Sequence, residues 1–324
     1  MITTNGNQVR TVRGSIAGIV AAVPRDRVTN DELGPDAHAA AKITGVQERR
    51  HAPDTVTTED LCLSAAQRLL WRLDWDPATI DTLVYVTQTP RLAVPSSGYE
   101  LQEVLGLPKH CIVIEPNWSC CGYVAGLWLA MAQRGDHNDI SRTLLLVGDV
   151  TSHIADPGDR ATWPLFGDAG SATAIEHSMF GDPQAHFFLG SDGAGADKLV
   201  QHRGDFLRMD GSEVFNFTLR TVPGLVDDVL MAGQPDFVLM HQANRFMLQH
   251  LVKKSQLRER APAALIPTNI DRFGNCSSAS IPLLWASDVG AKAGRYALLG
   301  YGAGWSWAGA SIAAEPRVVE LVEV

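Results

Sequence analysis

The chain has 324 residues, 45% of them hydrophobic and 19% charged, and 27 Lys+Arg against 36 Asp+Glu give a formal net charge of −9. At about 150 residues per domain, this length predicts two compact units or one large one. The composition, with a mean hydropathy of −0.02, excludes a disordered, collagen-like or disulfide-scaffold chain, and the acidic balance argues against nucleic acid or an anionic membrane as a partner.

In chain order, the first feature is the apolar stretch Ile16 to Val23 behind Arg10 and Arg13. It imitates a signal peptide, but Gly18 interrupts it and Pro24-Arg25 ends it, which predicts a first strand instead. No apolar run reaches the roughly 20 residues a membrane helix needs, so a cytoplasmic location is expected. The cysteines are Cys62, Cys111, Cys120, Cys121 and Cys276. Their odd number and the lack of zinc-knuckle spacing predict reduced thiols and no metal site. Leu61, Ala65, Leu69 and Leu73 fall at helical spacing and predict a helix over Glu59–Leu73, with Thr57 and Thr58 as candidate caps.

Short Val/Leu/Ile-rich runs alternate with longer amphipathic stretches, the pattern of buried parallel strands joined by crossover helices, so the fold class is α/β. Strands are predicted at Leu83–Val86, Cys111–Glu115, Thr143–Val150 and Ala172–Ile175, then at Phe237–Met240, Ala264–Thr268, Tyr296–Tyr301 and Gly309–Ala313. An internal repeat accompanies them. Leu83, Cys111 and Thr143 are followed by counterparts at Phe237, Ala264 and Arg295, at offsets of 154, 153 and 152 residues. Each half closes on a glycine-rich turn feeding a small-residue strand, Phe166-Gly-Asp-Ala-Gly-Ser-Ala172 and then Tyr301-Gly-Ala-Gly-Trp-Ser-Trp307. Two related halves, 1–178 and 179–324, with a site at their junction, account for this pattern.

Three segments carry chemistry. At Cys120-Cys-Gly-Tyr123 a strand gives way to a small-residue helix, where first-turn amides are expected to lower a thiol's pKa. Two structural core cysteines fit the same residues. His241 ends a hydrophobic strand in His241-Gln-Ala-Asn244, a place where catalytic groups collect in α/β proteins, although a hydrogen-bonded structural histidine is also common there. Gly274-Asn-Cys-Ser-Ser-Ala-Ser280 is a polar turn before a helix, and alone it reads equally as a cap.

Together and in this order, the three segments resemble the thiolase-like superfamily, most closely the β-ketoacyl-[acyl carrier protein] synthase III family. Supporting matches are Thr44-Gly-Val-Gln-Glu-Arg49, Val94-Pro-Ser-Ser97, Phe166–Gly170, Met209–Phe215 and Gly302-Ala-Gly304 with Trp307. The resemblance implies a duplicated five-layered αβαβα fold, usually dimeric, and an acyltransferase with no bound cofactor. Its substrates would be acyl and malonyl thioesters of phosphopantetheine, carried by acyl carrier protein or coenzyme A. Carried over, Cys120 is the nucleophile, and His241 and Asn275 stabilise the enolate formed as malonyl thioester loses carbon dioxide. The backbone amides of Cys120 and Ala303 form the oxyanion hole, and Val94 stands at the acyl-pocket gate.

Arg245, Lys253, Lys254, Arg258 and Arg260, opposed within their segment only by Glu259, form a basic face in an acidic protein. Of these, Arg245, Lys253 and Lys254, together with Arg160, are the candidate carrier or pantetheine contacts, since acyl carrier proteins are strongly acidic. A solvated helix face fits the same charges. The chain also departs from the family. Ala39 and Ile43 stand where coenzyme A-primed members have a Trp and an Arg, Phe246 takes a usual Arg position, and Val94 replaces an aromatic residue. These changes point to a specialised pathway. Two other readings stay open at this point: an acyltransferase of the same fold forming an ester or amide, and a non-catalytic subunit of a heteromeric condensing enzyme.

Overall fold

The computed structural model describes residues 6–30, 41–133, 141–178 and 183–324. In chain order the strands are β1 (Val9–Arg13), β2 (Ser15–Val23), β3 (Arg27–Thr29), β4 (Glu48–Arg50), β5 (Thr82–Val86), β6 (Ile112–Ile114), β7 (Ser141–Asp149) and β8 (Ala169–His177). They continue with β9 (Gln184–Ser191), β10 (Leu199–Val200), β11 (Arg208–Met209), β12 (Phe237–Met240), β13 (Gly294–Gly302), β14 (Ser306–Ala314) and β15 (Val318–Glu323). One sheet has six strands in the order β15-β2-β8-β7-β5-β6, and a second has five in the order β1-β9-β14-β13-β12.

The repeat read from spacing is a repeat of topology. β5 lies parallel to β7, and β7 antiparallel to β8; likewise β12 lies parallel to β13, and β13 antiparallel to β14. The glycine-rich turns Phe166–Ala172 and Tyr301–Trp307 lead into the equivalent strands β8 and β14. The terminal strands cross over: β15 pairs with β2 in the first sheet, and β1 with β9 in the second. The helix Thr58–Leu73 covers one face of the first sheet, and Gly211–Met231 covers the outer face of the second. Between the sheets run Gly122–Ala132 and Ser280–Leu284, which gives five layers. The central core joins Val86, Leu145 and Val147 of one sheet to Leu239, Leu298 and Ala310 of the other through Tyr123, Leu127 and Trp285. Gly122–Ala132 is apolar all round because it has a sheet on either side.

Local chemistry explains the element ends. Thr57 caps the helix Thr58–Leu73 in a reciprocal box with Asp60, as the hydroxyl and carboxylate at this spacing allow. Thr58 does not cap; its hydroxyl bonds Thr89 at 2.7 Å. The strand expected at Ala264–Thr268 is reduced to one bridge between Leu265 and Phe237. Leu265 N–H donates to Asp236 O, and Leu265 O accepts from Val238 N–H, both at 2.9 Å. Pro267 has no N–H for the next rung, so the ladder stops there.

Candidate active site

Cys120 lies between β6 and the helix Gly122–Ala132, within a 3₁₀ turn Ser119–Cys121 whose first residue has φ 50°. His241 directly follows β12, and its N–H donates to Leu299 O at 2.8 Å, extending the pairing with β13. Asn275 is pinned to the first glycine-rich turn: its N–H donates to Leu165 O at 2.9 Å, and its carbonyl accepts from Gly167 N–H at 3.1 Å. Gly274 makes that approach possible. Its φ is 66°, and a Cβ there would stand 2.7 Å from Leu165 O, so only glycine fits without strain. The two halves thereby bring Cys120, His241 and Asn275 to one cavity of about 60 Å³, walled in part by Phe166, Met209, Val214 and Tyr301.

Burial dominates the electrostatics of the site. The His241 ring is pushed down to about 4 by burial, against a smaller opposing contact with the Ser277 backbone. It is therefore a neutral imidazole at physiological pH, suited to donating a hydrogen bond. Its Nδ1 is buried with no partner among the described residues. The Asn275 amide has a fixed orientation: Oδ1 accepts from Ser277 N–H at 2.9 Å, and Nδ2 lies 3.4 Å from Ala243 O. The expectation for Cys120 requires correction. Burial pushes its thiol up to about 11, while hydrogen bonds from Ser277 and Ser119 pull the other way. Removing a thiolate from water costs more than one helix turn returns. Cys121 faces away, its sulfur 3.1 Å from Trp118 O and 3.4 Å from Ser306 Oγ, two acceptors for its one hydrogen.

Gly302 lies directly against Cys120. Ala303, the next residue, lines a neighbouring cavity of about 500 Å³ together with Gln88 and Ser119. Leu199 belongs to the walls of both cavities. Val94 is 85% exposed and lines neither. Arg245 lies over Gly45, and with Lys253 and Arg258 it lines a groove of about 420 Å³. Lys254 and Arg160 are exposed outside that groove. Arg260 is not a free member of the basic face, because Asp227 of the helix Gly211–Met231 pairs with it at 2.5 Å, a partner distant in sequence. Phe246 stacks on Phe215 with ring centroids 5.4 Å apart. Ile43 is exposed, and Ala39 lies outside the described residues.

Two polar residues at the site, Gln88 and Asp149, escaped the motif reading, and Ser277, inside the string Gly274–Ser280, carried no role there. Asp149 had a signal, a carboxylate ending the apolar run of β7. Among the described residues no helix is long and apolar enough to cross a membrane.

Comparison with known proteins agrees with this geometry. Residues 114–193 match the family described as 3-oxoacyl-[acyl-carrier-protein] synthase III, and residues 228–314 match its C-terminal part. The chain is 31% identical over 339 residues to the β-ketoacyl-[acyl-carrier-protein] synthase III of Rhodopirellula baltica, covering 90% of this chain and 96% of that one. The crystal structure of a 3-oxoacyl-(acyl-carrier protein) synthase from Burkholderia xenovorans superposes with a TM-score of 0.91 at 38% identity, over 98% of this chain and 99% of the other. For the synthase III of Pseudomonas aeruginosa the TM-score is 0.82 at 29% identity, over 95% and 99%.

Proposed function

Because the chain belongs to the 3-oxoacyl-[acyl-carrier-protein] synthase III family, thiolase-fold acyltransferases that condense acyl groups with malonyl thioester, we propose that Cys120 is its nucleophile and that His241 and Asn275 drive the decarboxylation. The observation that carries this assignment is the convergence of the three side chains on one cavity. The Cys120 sulfur attacks an acyl thioester, the pantetheine sulfur leaves as the thiol, and the acyl group stays on the enzyme as a thioester. The tetrahedral oxyanion is held by the backbone N–H groups of Cys120 and Ala303. Malonyl-[acyl carrier protein] then loses carbon dioxide, and the resulting enolate oxygen takes hydrogen bonds from neutral His241 and Asn275. Its carbon attacks the acyl-Cys120 carbonyl, and the Cys120 sulfur leaves.

The carrier protein would dock through Arg160, Arg245, Lys253 and Lys254, a basic set on an acidic molecule. The enzyme would work in the cytoplasm as a homodimer, with thioester substrates and no bound cofactor. Tyr99, Val104 and Ile112 are each more than half exposed beside β6, an open sheet edge that a second copy would cover. Val94, which lines neither of the two cavities described above, would gate an acyl pocket on such a second copy. Sedimentation equilibrium should give a two-chain mass, and a monomer at micromolar concentration would count against this arrangement. The exposed Ile43 and the stacked Phe246, where the family carries arginine, support a specialised pathway over housekeeping initiation.

Intact-protein mass after incubation with acyl-coenzyme A and acyl-carrier-protein thioesters tests the assignment. One acyl adduct per chain is expected, lost in Cys120→Ala, and the reactive donor identifies the primer class. An adduct that persists in the folded variant would remove Cys120 from the nucleophile role.

A further inference from the structure

The nucleophile rests against a polar network that the reaction above leaves unused. Asp149, the last residue of β7, is fully buried and forms no ion pair among the described residues. Its carboxylate accepts from Gln88 N–H at 2.6 Å, Ser278 Oγ at 2.6 Å, Thr87 Oγ1 at 3.2 Å and Ser278 N–H at 3.3 Å. These bonds tie the segment after β5 to the turn after Asn275. Gln88 then spans the remaining gap: its Nε2 donates to Ser277 Oγ at 2.5 Å and lies 3.5 Å from Asp149 Oδ2. Ser277 Oγ stands 3.8 Å from Cys120 Sγ. Ser277 has φ 47°, a left-handed conformation that a side chain keeps only when its surroundings hold it there.

A hydroxyl has one hydrogen and two lone pairs. One lone pair is taken by the Gln88 amide, and the single Ser277 hydrogen has two acceptors in reach, the Asp149 carboxylate and the Cys120 sulfur. We propose that the Ser277 hydroxyl, aligned by Gln88, donates to Cys120 Sγ and stabilises the thiolate that attacks the thioester, with Asp149 holding Gln88 in place. The proposal rests on Cys120 being the nucleophile. Ser277 touches the reacting atom, while Gln88 and Asp149 are positioning residues. The titratable groups facing the sulfur are Asp149 from β7, Tyr301 from β13, His241 after β12 and the adjacent Cys121. None is a cation at neutral pH: burial holds His241, Tyr301 and Cys121 neutral, and Asp149 opposes a second negative charge. Stabilisation of the thiolate therefore falls to dipoles, and the hydroxyls within reach of the sulfur are those of Ser277 and, at 3.9 Å, Ser119.

The test is the pH dependence of Cys120 alkylation by iodoacetamide, followed by peptide mass so that Cys121 is read separately. Ser277→Gly is the informative variant, because glycine accepts the left-handed backbone and removes the hydroxymethyl group that carries the donor. Its alkylation midpoint should rise by about one pH unit, the effect of losing one hydrogen bond to a charged group. At a fixed pH below both midpoints, alkylation should be about tenfold slower. Gln88→Leu, which leaves the Ser277 backbone intact, should shift the midpoint in the same direction by less. Circular dichroism and Tm establish that both variants are folded. Wild-type midpoints in both would overturn the proposal. A wild-type Cys120 that accepts no acyl group from any thioester would instead overturn its premise, and the acylation assay reads that separately.

Discussion

A His241→Ala enzyme is expected to load an acyl group onto Cys120 at close to the wild-type rate, yet to release carbon dioxide from malonyl thioester about 10²- to 10³-fold more slowly. The split follows from the site. His241 is neutral and lines the cavity, with a buried nitrogen that has no partner among the described residues, so it contributes a hydrogen bond wherever negative charge develops and serves poorly as a base for the thiol. That charge appears on the malonyl carbonyl oxygen as carbon dioxide departs, and not in the first acyl transfer. Intact mass reads the first step and labelled carbon dioxide the second. Equal losses in both would instead make His241 the acceptor of the Cys120 proton.

Asn275→Ala should behave less cleanly. Its Oδ1 accepts the Ser277 N–H, so the substitution releases the turn that brings the Ser277 hydroxyl to the sulfur. Both steps should slow, and the two alanine variants should combine less than additively, because their side chains act on one oxygen.

What the sequence made legible is what adjacent residues determine. The duplicated order of β5, β7 and β8 with β12, β13 and β14 could be read because buried strands appear as short apolar runs and glycine-rich turns mark their ends. Cys120, His241 and Asn275, which line one cavity, could be picked out as candidates because each lies in a distinctive string at an element boundary. Interactions between distant segments could not be read this way. Asp227 neutralises Arg260 from another helix, Pro267 stops a strand whose apolar pattern was correct, and Gln88, Asp149 and Ser277 meet across nearly 190 residues of chain. The thiol failed for the same reason. The first helical turn is a local feature that favours a thiolate, whereas the desolvation that outweighs it comes from both halves of the fold packed around the sulfur.

Gly302→Ala is expected to reduce acylation of Cys120 by about 10²-fold, the scale of a catalytic group displaced by about an ångström. Gly300 and Gly302 alternate along β13 and so share the face turned toward the nucleophile turn. A Cβ at Gly302 would stand 2.7 Å from Cys120 Cβ and 3.0 Å from Sγ; one at Gly300 would stand 2.9 Å from Cys121 Cα. β13 cannot retreat, because β12 and β14 pair with it on either side. The movement therefore falls on Ser119–Cys121, which carries the proposed nucleophile. The two glycines separate position from stability. At Gly300 the added carbon meets backbone, which should cost about 1–3 kcal/mol of folding stability as overpacking, read as a lower Tm. At Gly302 it meets the Cys120 side chain, the proposed nucleophile, so the loss should appear mainly in the acylation rate measured by intact mass. If Gly302→Ala keeps the wild-type rate while its Tm falls, the sulfur is positioned by its own helix, and β13 merely packs against it.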